Sequence, residues 1–195
     1  MENKMEVNSL ERVIATQQIQ ELCYRYARGA DRLDAESWAS AFWDDAVFGG
    51  SDLSITDYAN QVVQIMGNLF DLTHHLNGNI LINFTDSEHA TTEVYFRAFH
   101  LTKAGAPIDQ LRFIIGERRL AELSHVDGNV YEVVVGGRYL DQVECREGIW
   151  RIKNRRLIFD YTTVQLNTTL LPGEGMTTTS AGKMTRDRTD PSYDK

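Results

Sequence analysis

A chain of 195 residues with 42% hydrophobic content is long enough for one domain with a substantial core and a short remainder. Its 28 acidic residues outnumber 20 lysines and arginines, and the net charge of −8 argues against a nucleic-acid partner, which would need a concentrated basic face. No apolar run approaches the ~20 residues of a bilayer span, and Met1 to Asn8 is too short and polar for a secretory signal.

Asn8 or Ser9 can cap a first helix, in which Leu10, Val13, Ile14, Ile19, Leu22, Cys23 and Tyr26 recur at helical spacing. Gly29 is expected to break it, leaving Asp31 just beyond its end. A second short helix is predicted from Asp34 to Phe42, with Asp34 as cap and Trp38, Ala41 and Phe42 facing inward. Asp44-Asp45 marks a turn, and Ala46-Val47-Phe48 reads as a brief strand before Gly49-Gly50. A third helix is predicted from about Ile55 to Leu69, starting near Ser54 or Thr56, with Tyr58, Val62, Ile65, Met66 and Leu69 inward.

Beyond Leu69 the hydrophobic period changes from helical to alternating. Thr73 to Phe84, Ala90 to Thr102, Leu111 to His125, Asn129 to Cys145 and Trp150 to Leu166 all read as strands. Asp127-Gly128-Asn129 and Arg146-Glu147-Gly148 are hairpin-like, which makes their neighbours antiparallel. Helices first and long antiparallel strands afterwards define an α+β domain, a curved sheet with N-terminal helices enclosing a pocket. The domain is assigned to residues 1–170 and a polar C-terminal tail to 171–195. Pro172-Gly173-Glu174-Gly175 and Thr177 to Ser180 have little to bury, although the tail can pack on its own subunit or on a partner. No internal repeat is present.

Two distant segments carry the chemistry that a proton transfer needs. The first is Tyr26-Ala27-Arg28-Gly29-Ala30-Asp31, and the second is Thr73-His74-His75-Leu76-Asn77-Gly78-Asn79. A carboxylate that orients an imidazole makes a general base near neutral pH. In that arrangement His75 takes the proton through one ring nitrogen, while Asp31 accepts a hydrogen bond from the other. Tyr26 can donate its phenolic hydrogen to a carbonyl or a leaving hydroxyl. Asn77 and Asn79 alternate in phase with His75, so an unbroken strand points all three the same way. Arg138, on another strand, is the remaining cation suited to an anionic or enolate oxygen. Trp38, Phe42, Met66, Phe70, Phe96 and Phe113 divide between core and pocket lining.

Each of these residues also has a plain structural role open to it: a turn cap for Asp31, a core ring for Tyr26. Other chemistries lack their motifs. His74, His75, His89, His100 and His125 form no recognised metal-ligand spacing, and no dinucleotide or phosphate loop is present. Gly136-Gly137 lies inside a strand, where bending is its expected role. The basic stretch Arg151 to Arg156 alternates and is expected to decorate one sheet face. Cys23 and Cys145 belong to no C-x-x-C pair and have no activating context. The expectation is cofactor-free, metal-free chemistry in a cytoplasmic protein.

The helix ending Tyr26-Ala27-Arg28-Gly29-Ala30-Asp31, Trp38-x3-Phe42-x2-Asp45-Ala46-x-Phe48, Thr73-x-His75-x3-Asn79, and Gly137-x-Tyr139-x-Asp141 followed by Gly148-x-Trp150 together resemble the SnoaL-like family. That family belongs to the nuclear transport factor 2-like superfamily, and the likeness runs from about Leu10 to Val164. The resemblance implies a cystatin-like cone, or α+β barrel. Within the group, the site layout is most similar to hexachlorocyclohexane dehydrochlorinase, scytalone dehydratase and the bile acid 7α-dehydratases. It places their base on His75, their orienting aspartate on Asp31 and the bile acid enzymes' tyrosine on Tyr26. Their last-strand arginine falls at Phe159, a departure that leaves the substrate open.

The function expected from residues and resemblance together is a cofactor-independent lyase, a dehydratase or dehydrohalogenase. Its substrate would be a hydrophobic ring compound such as a steroid, terpenoid or aromatic. The alternatives are a ketosteroid-type isomerase using the same base, or a non-catalytic protein: a small-ligand binder or a subunit like the β chain of ring-hydroxylating dioxygenases. The resemblance also implies a homodimer or homotrimer.

Overall fold

The computed structural model describes residues 9–169 and 184–194. Ser9 caps α1 (Leu10–Asp31), its hydroxyl accepting from the backbone N–H of Arg12 at 3.2 Å. The helix does not stop at Gly29 but runs through it, and Asp31 is its last residue. The glycine is needed for a different reason: a Cβ there would sit 2.4 Å from the backbone nitrogen of Trp38, so only glycine lets the next helix approach this closely. That helix, α2 (Ala35–Ala39), is capped by Asp34 and ends earlier than its apolar pattern suggests, because Phe42 already opens β1 (Phe42–Phe48). Helix α3 spans Ile55–Leu69 with Ser54 as its cap.

The sheet is completed by β2 (Phe70–Phe84), β3 (His89–Thr102), β4 (Tyr131–Arg146) and β5 (Ile149–Leu166). Its order is β1-β5-β4-β3-β2, antiparallel throughout except for β1, which joins β5 in parallel. The fold is thus α+β as expected, with a mixed sheet in place of a purely antiparallel one. The predicted strand from Leu111 to His125 is helical instead, forming α4 (Ile108–Ile115) and α5 (Glu117–Glu122). Leu111 and Ile115 are buried four residues apart, a helical period that the apolar run Phe113-Ile114-Ile115 disguised. Gly116, at φ 89°, separates the two helices.

Register shifts along the strands reset which side chains face inward, and three of them bear on the residues singled out above. On β2 the register shifts between Asn77 and Ile80, so Thr73, His75 and Asn77 point in, and the inward series then resumes at Ile80, Ile82 and Phe84. On β4 the shift falls at Gly136/Gly137, where a Cβ on Gly137 would lie 2.1 Å from the carbonyl oxygen of Ile158. A third shift, between Gln142 and Val143, leaves Lys153 as the extra residue on β5 and turns Arg155 into the core. Arg155 therefore does not decorate a face with its basic neighbours. It is fully buried and grips Asp141 with two hydrogen bonds of 2.8 and 2.7 Å.

The main core packs α1, α2 and α3 against the inward face, where the rings of Tyr26, Trp38, Phe42, Phe48 and Tyr58 meet. A second cluster joins Leu111, Ile115 and Leu120 to Tyr131, Val133 and Val164 at the other end of the sheet. Residues 184–194 pack back on the domain, with the Tyr193 hydroxyl donating to Asp34 at 2.7 Å and Asp190 facing Arg32 at 3.5 Å. The polar stretches at 172–175 and 177–180 lie outside the described residues. Among the described residues, no helix is long and apolar enough to cross a membrane.

Candidate active site

Asp31 and His75 meet where the end of α1 crosses the start of β2. The carboxylate Oδ1 accepts from His75 Nδ1 at 2.7 Å and from the Thr73 hydroxyl at 2.9 Å, and Oδ2 accepts from the backbone N–H of His75 at 2.9 Å. Burial alone would push the Asp31 carboxyl up. The imidazole bond, the imidazole charge and the remaining donors outweigh it and hold Asp31 below the ordinary aspartate value. An ionised carboxylate can only accept, so Nδ1 of His75 carries a hydrogen, and in the neutral ring the lone pair then belongs to Nε2. This is the tautomer a general base requires.

His75 borders a cavity of about 600 Å³ enclosed by α3, α4 and the inward faces of the strands. Its walls are mainly apolar, among them Ile65, Met66, Leu69, Phe70, Phe96 and Val135. The few polar groups include Tyr26, His75, His100 and Tyr139, a pattern typical of small-molecule sites. A larger hollow of about 870 Å³, bordered by Gly49, Gly50, Glu93, Gln142 and Arg156, contains neither histidine.

Of the residues singled out from sequence, Asp31 and His75 are in contact, and Tyr26, Phe96 and Phe113 border the same cavity. Tyr26 is buried, its ring 5.3 Å from that of Tyr139 and 4.3 Å beneath the Arg155 guanidinium. Burial raises the Tyr26 phenol, against the lowering pull of the Arg155 guanidinium, so it stays protonated and able to donate. Phe96 stacks on Tyr139 at 4.4 Å. Phe113, on α4 and not on a strand, stands 91% exposed at the cavity rim.

The other residues lie elsewhere. Trp38 and Phe42 are core, stacked on each other at 4.8 Å and absent from the cavity wall. Asn77 faces inward but donates to the Cys23 carbonyl at 3.0 Å, tying β2 to α1. Asn79 is exposed, because the bulge that follows Asn77 breaks the alternation with His75. Arg138 lies on the opposite sheet face, clamped by Asp160 at 3.0 Å and Glu93 at 3.1 Å. It is not available to an anion in the cavity. Phe159 does reach the cavity, at the position where the resemblance expected an arginine.

Among the cavity residues that the sequence reading did not single out, two carry polar rings. His100 is buried with its ring 5.5 Å from that of His75. Its Nδ1 donates to the Val133 carbonyl at 3.3 Å, which leaves Nε2 as an acceptor. Burial and, secondarily, the neighbouring His75 pull its pKa down to about 4, so the ring is neutral at ordinary pH. Its signal was available: Phe96, Ala98 and His100 alternate in phase on β3, and His100 pairs across from Thr73. The second is Tyr139, readable from the same alternation on β4. Among the described residues, no group of three or more histidine, cysteine or acidic side chains is placed to hold a metal ion.

No curated protein matches the chain in sequence. Among solved structures it is similar to a type 2 hexachlorocyclohexane dehydrochlorinase (18% identity, TM-score 0.62, covering 84% of this chain and 97% of the other). It is also similar to a type 3 hexachlorocyclohexane dehydrochlorinase from Novosphingobium barchaimii (17% identity, TM-score 0.62, 84% and 98%). A third is a scytalone dehydratase-like protein from Novosphingobium aromaticivorans (20% identity, TM-score 0.59, 78% and 89%). At these identities the likeness establishes the fold. The profile of the SnoaL-like domain matches residues 11–156, most of the α+β domain, and the chain belongs to the SnoaL-like domain family.

Proposed function

We propose that this protein is a cofactor-independent lyase that eliminates water or hydrogen halide from a hydrophobic ring compound. The observation that carries the reading is the 2.7 Å contact between Asp31 and His75 Nδ1 at the wall of an apolar cavity of about 600 Å³. His75 Nε2 takes a proton from carbon, the new double bond forms, and the leaving group departs with its bonding electrons. Asp31 fixes the tautomer and stabilises the imidazolium that results. The buried phenols of Tyr26 and Tyr139, which line the same cavity, are donors suited to a departing hydroxyl or halide. His100, neutral with Nε2 unprotonated, is suited to accept from a substrate hydroxyl.

The domain is taken as residues 1–170 with a tail at 171–195, and the setting as cytoplasmic. A homodimer or homotrimer joined through the outer sheet face belongs to the same reading, supported by the exposed Leu81 and Tyr95. The dehydrochlorinase and dehydratase names of similar structures support elimination as the reaction class.

The test is a panel of cyclic alcohols and halides, from steroids and terpenoids to small aromatics, assayed by mass spectrometry for loss of water or hydrogen halide in deuterated solvent. Turnover that disappears in His75→Ala supports the lyase. Solvent deuterium entering a substrate without elimination would identify an isomerase, and binding without exchange or turnover would identify a ligand-binding protein.

A further inference from the structure

The residue that completes the dyad comes from the far end of the chain. Arg186, 155 positions after Asp31, lays its guanidinium across the junction of α1, α3 and β2. Nε donates to the carbonyl of Asp31 at 3.1 Å, and Nη2 to that of Ala30 at 3.4 Å. Nη1 donates to the carbonyls of Met66 at 3.3 Å and Phe70 at 2.5 Å. The remaining Nη2 hydrogen reaches the Thr73 hydroxyl at 3.1 Å, and that hydroxyl passes its own hydrogen to Asp31 Oδ1 at 2.9 Å.

This geometry answers two problems set by the fold. The last carbonyls of α1 have no partner within the helix, and the negative end of the helix dipole lies beside a buried carboxylate. One planar cation with five N–H donors meets four carbonyls and a hydroxyl at that junction, and a lysine lacks the fork to do so. By accepting from Arg186, the Thr73 oxygen is oriented with its hydrogen toward Asp31. The guanidinium stays behind the dyad and does not border the cavity.

We propose that Arg186 is a positioning residue, delivered by the C-terminal segment, that holds Thr73 and Asp31 in the arrangement that orients His75. The proposal rests on the lyase reading for its catalytic consequence, but its structural core does not depend on any substrate. Arg186→Lys and Arg186→Ala are compared with Tyr193→Phe, which loosens the same segment at Asp34, away from the dyad. The primary readout is the downfield proton resonance of the His75 Nδ1–H in one-dimensional NMR, assigned by its loss in His75→Ala. Unfolding midpoints are recorded alongside.

The expected result is that both Arg186 variants shift or broaden that resonance beyond detection, while Tyr193→Phe leaves it in place. Where a substrate is in hand, kcat falls about 10- to 100-fold with KM little changed, as expected for a misplaced base. An unchanged resonance in a folded Arg186→Lys protein overturns the proposal. So does equal loss in Tyr193→Phe, which would reduce Arg186 to one tail anchor among several. Should no substrate be found, the lyase reading fails while the resonance still decides the role of Arg186.

Discussion

Asp31→Asn changes almost no volume but removes the charge on which the proposed base depends. The carboxylate accepts three hydrogens, at 2.7 Å from His75 Nδ1, 2.9 Å from Thr73 and 2.9 Å from the His75 backbone. An amide has one oxygen and cannot serve all three. With its oxygen toward the imidazole, the NH2 group opposes the backbone N–H of His75; reversed, it opposes Thr73 and drives the imidazole to the wrong tautomer. Even the better orientation no longer neutralises the imidazolium formed in the transition state. For a charge separation of about 4 Å and an effective dielectric of about 20, that attraction is about 4 kcal/mol, equivalent to about a thousandfold in rate. The assay is kcat for elimination at neutral pH, with unfolding midpoints recorded to separate folding from chemistry. A folded Asp31→Asn protein that keeps kcat within about tenfold of the parent, while His75→Ala is inactive, would refute a role for the carboxylate in the base.

Asp141→Ala leaves Arg155 fully buried and without its counter-ion, its guanidinium still 4.3 Å from the rings of Tyr26 and Tyr139. Urea unfolding should show a loss of about 3–5 kcal/mol, and a loss below about 1 kcal/mol would mean that water reaches the site. His100 has a folded pKa of about 4 against an ordinary 6.5. The unfolded chain therefore binds the extra proton, and stability falls as pH drops from 6.5 toward 4, by about 3 kcal/mol in all. His100→Gln should flatten that limb of a stability–pH curve, and an unchanged limb would contradict the neutral assignment. Arg138→Gln removes only the half-exposed outer clamp on Glu93 and Asp160, so kcat/KM should stay within about twofold. A large loss would show that the outer face communicates with the cavity.

Local pattern was enough for much of this protein. The capping sites, narrowed to Asn8 or Ser9 and to Ser54 or Thr56, the long first helix and the alternation of β2 to β5 depend on residues near one another in the chain, where period and capping chemistry act directly. The pairing of Asp31 with His75 was legible from their residue types and the resemblance. The misreadings have specific causes. The α4 segment carries an apolar run that suits strand and helix alike, and its burial four residues apart emerges only when it packs on Val133 and Val164.

Side-chain phase along the strands was decided by tertiary structure. One extra residue at each bulge turned Asn79 outward and Arg155 inward, and such a shift depends on strand pairing that no local pattern encodes. The same holds for Arg186, whose polar surroundings in the sequence gave no hint of five partners on elements more than 100 residues away. What the sequence determined by itself was most of the elements, the α4–α5 segment apart, and the residues capable of acid–base chemistry, because these follow from nearest neighbours and side-chain type. Which of those residues share a cavity, and which cation stands behind the carboxylate, only the folded chain decided, because bulges and end-of-chain docking are fixed by contacts between segments distant in sequence.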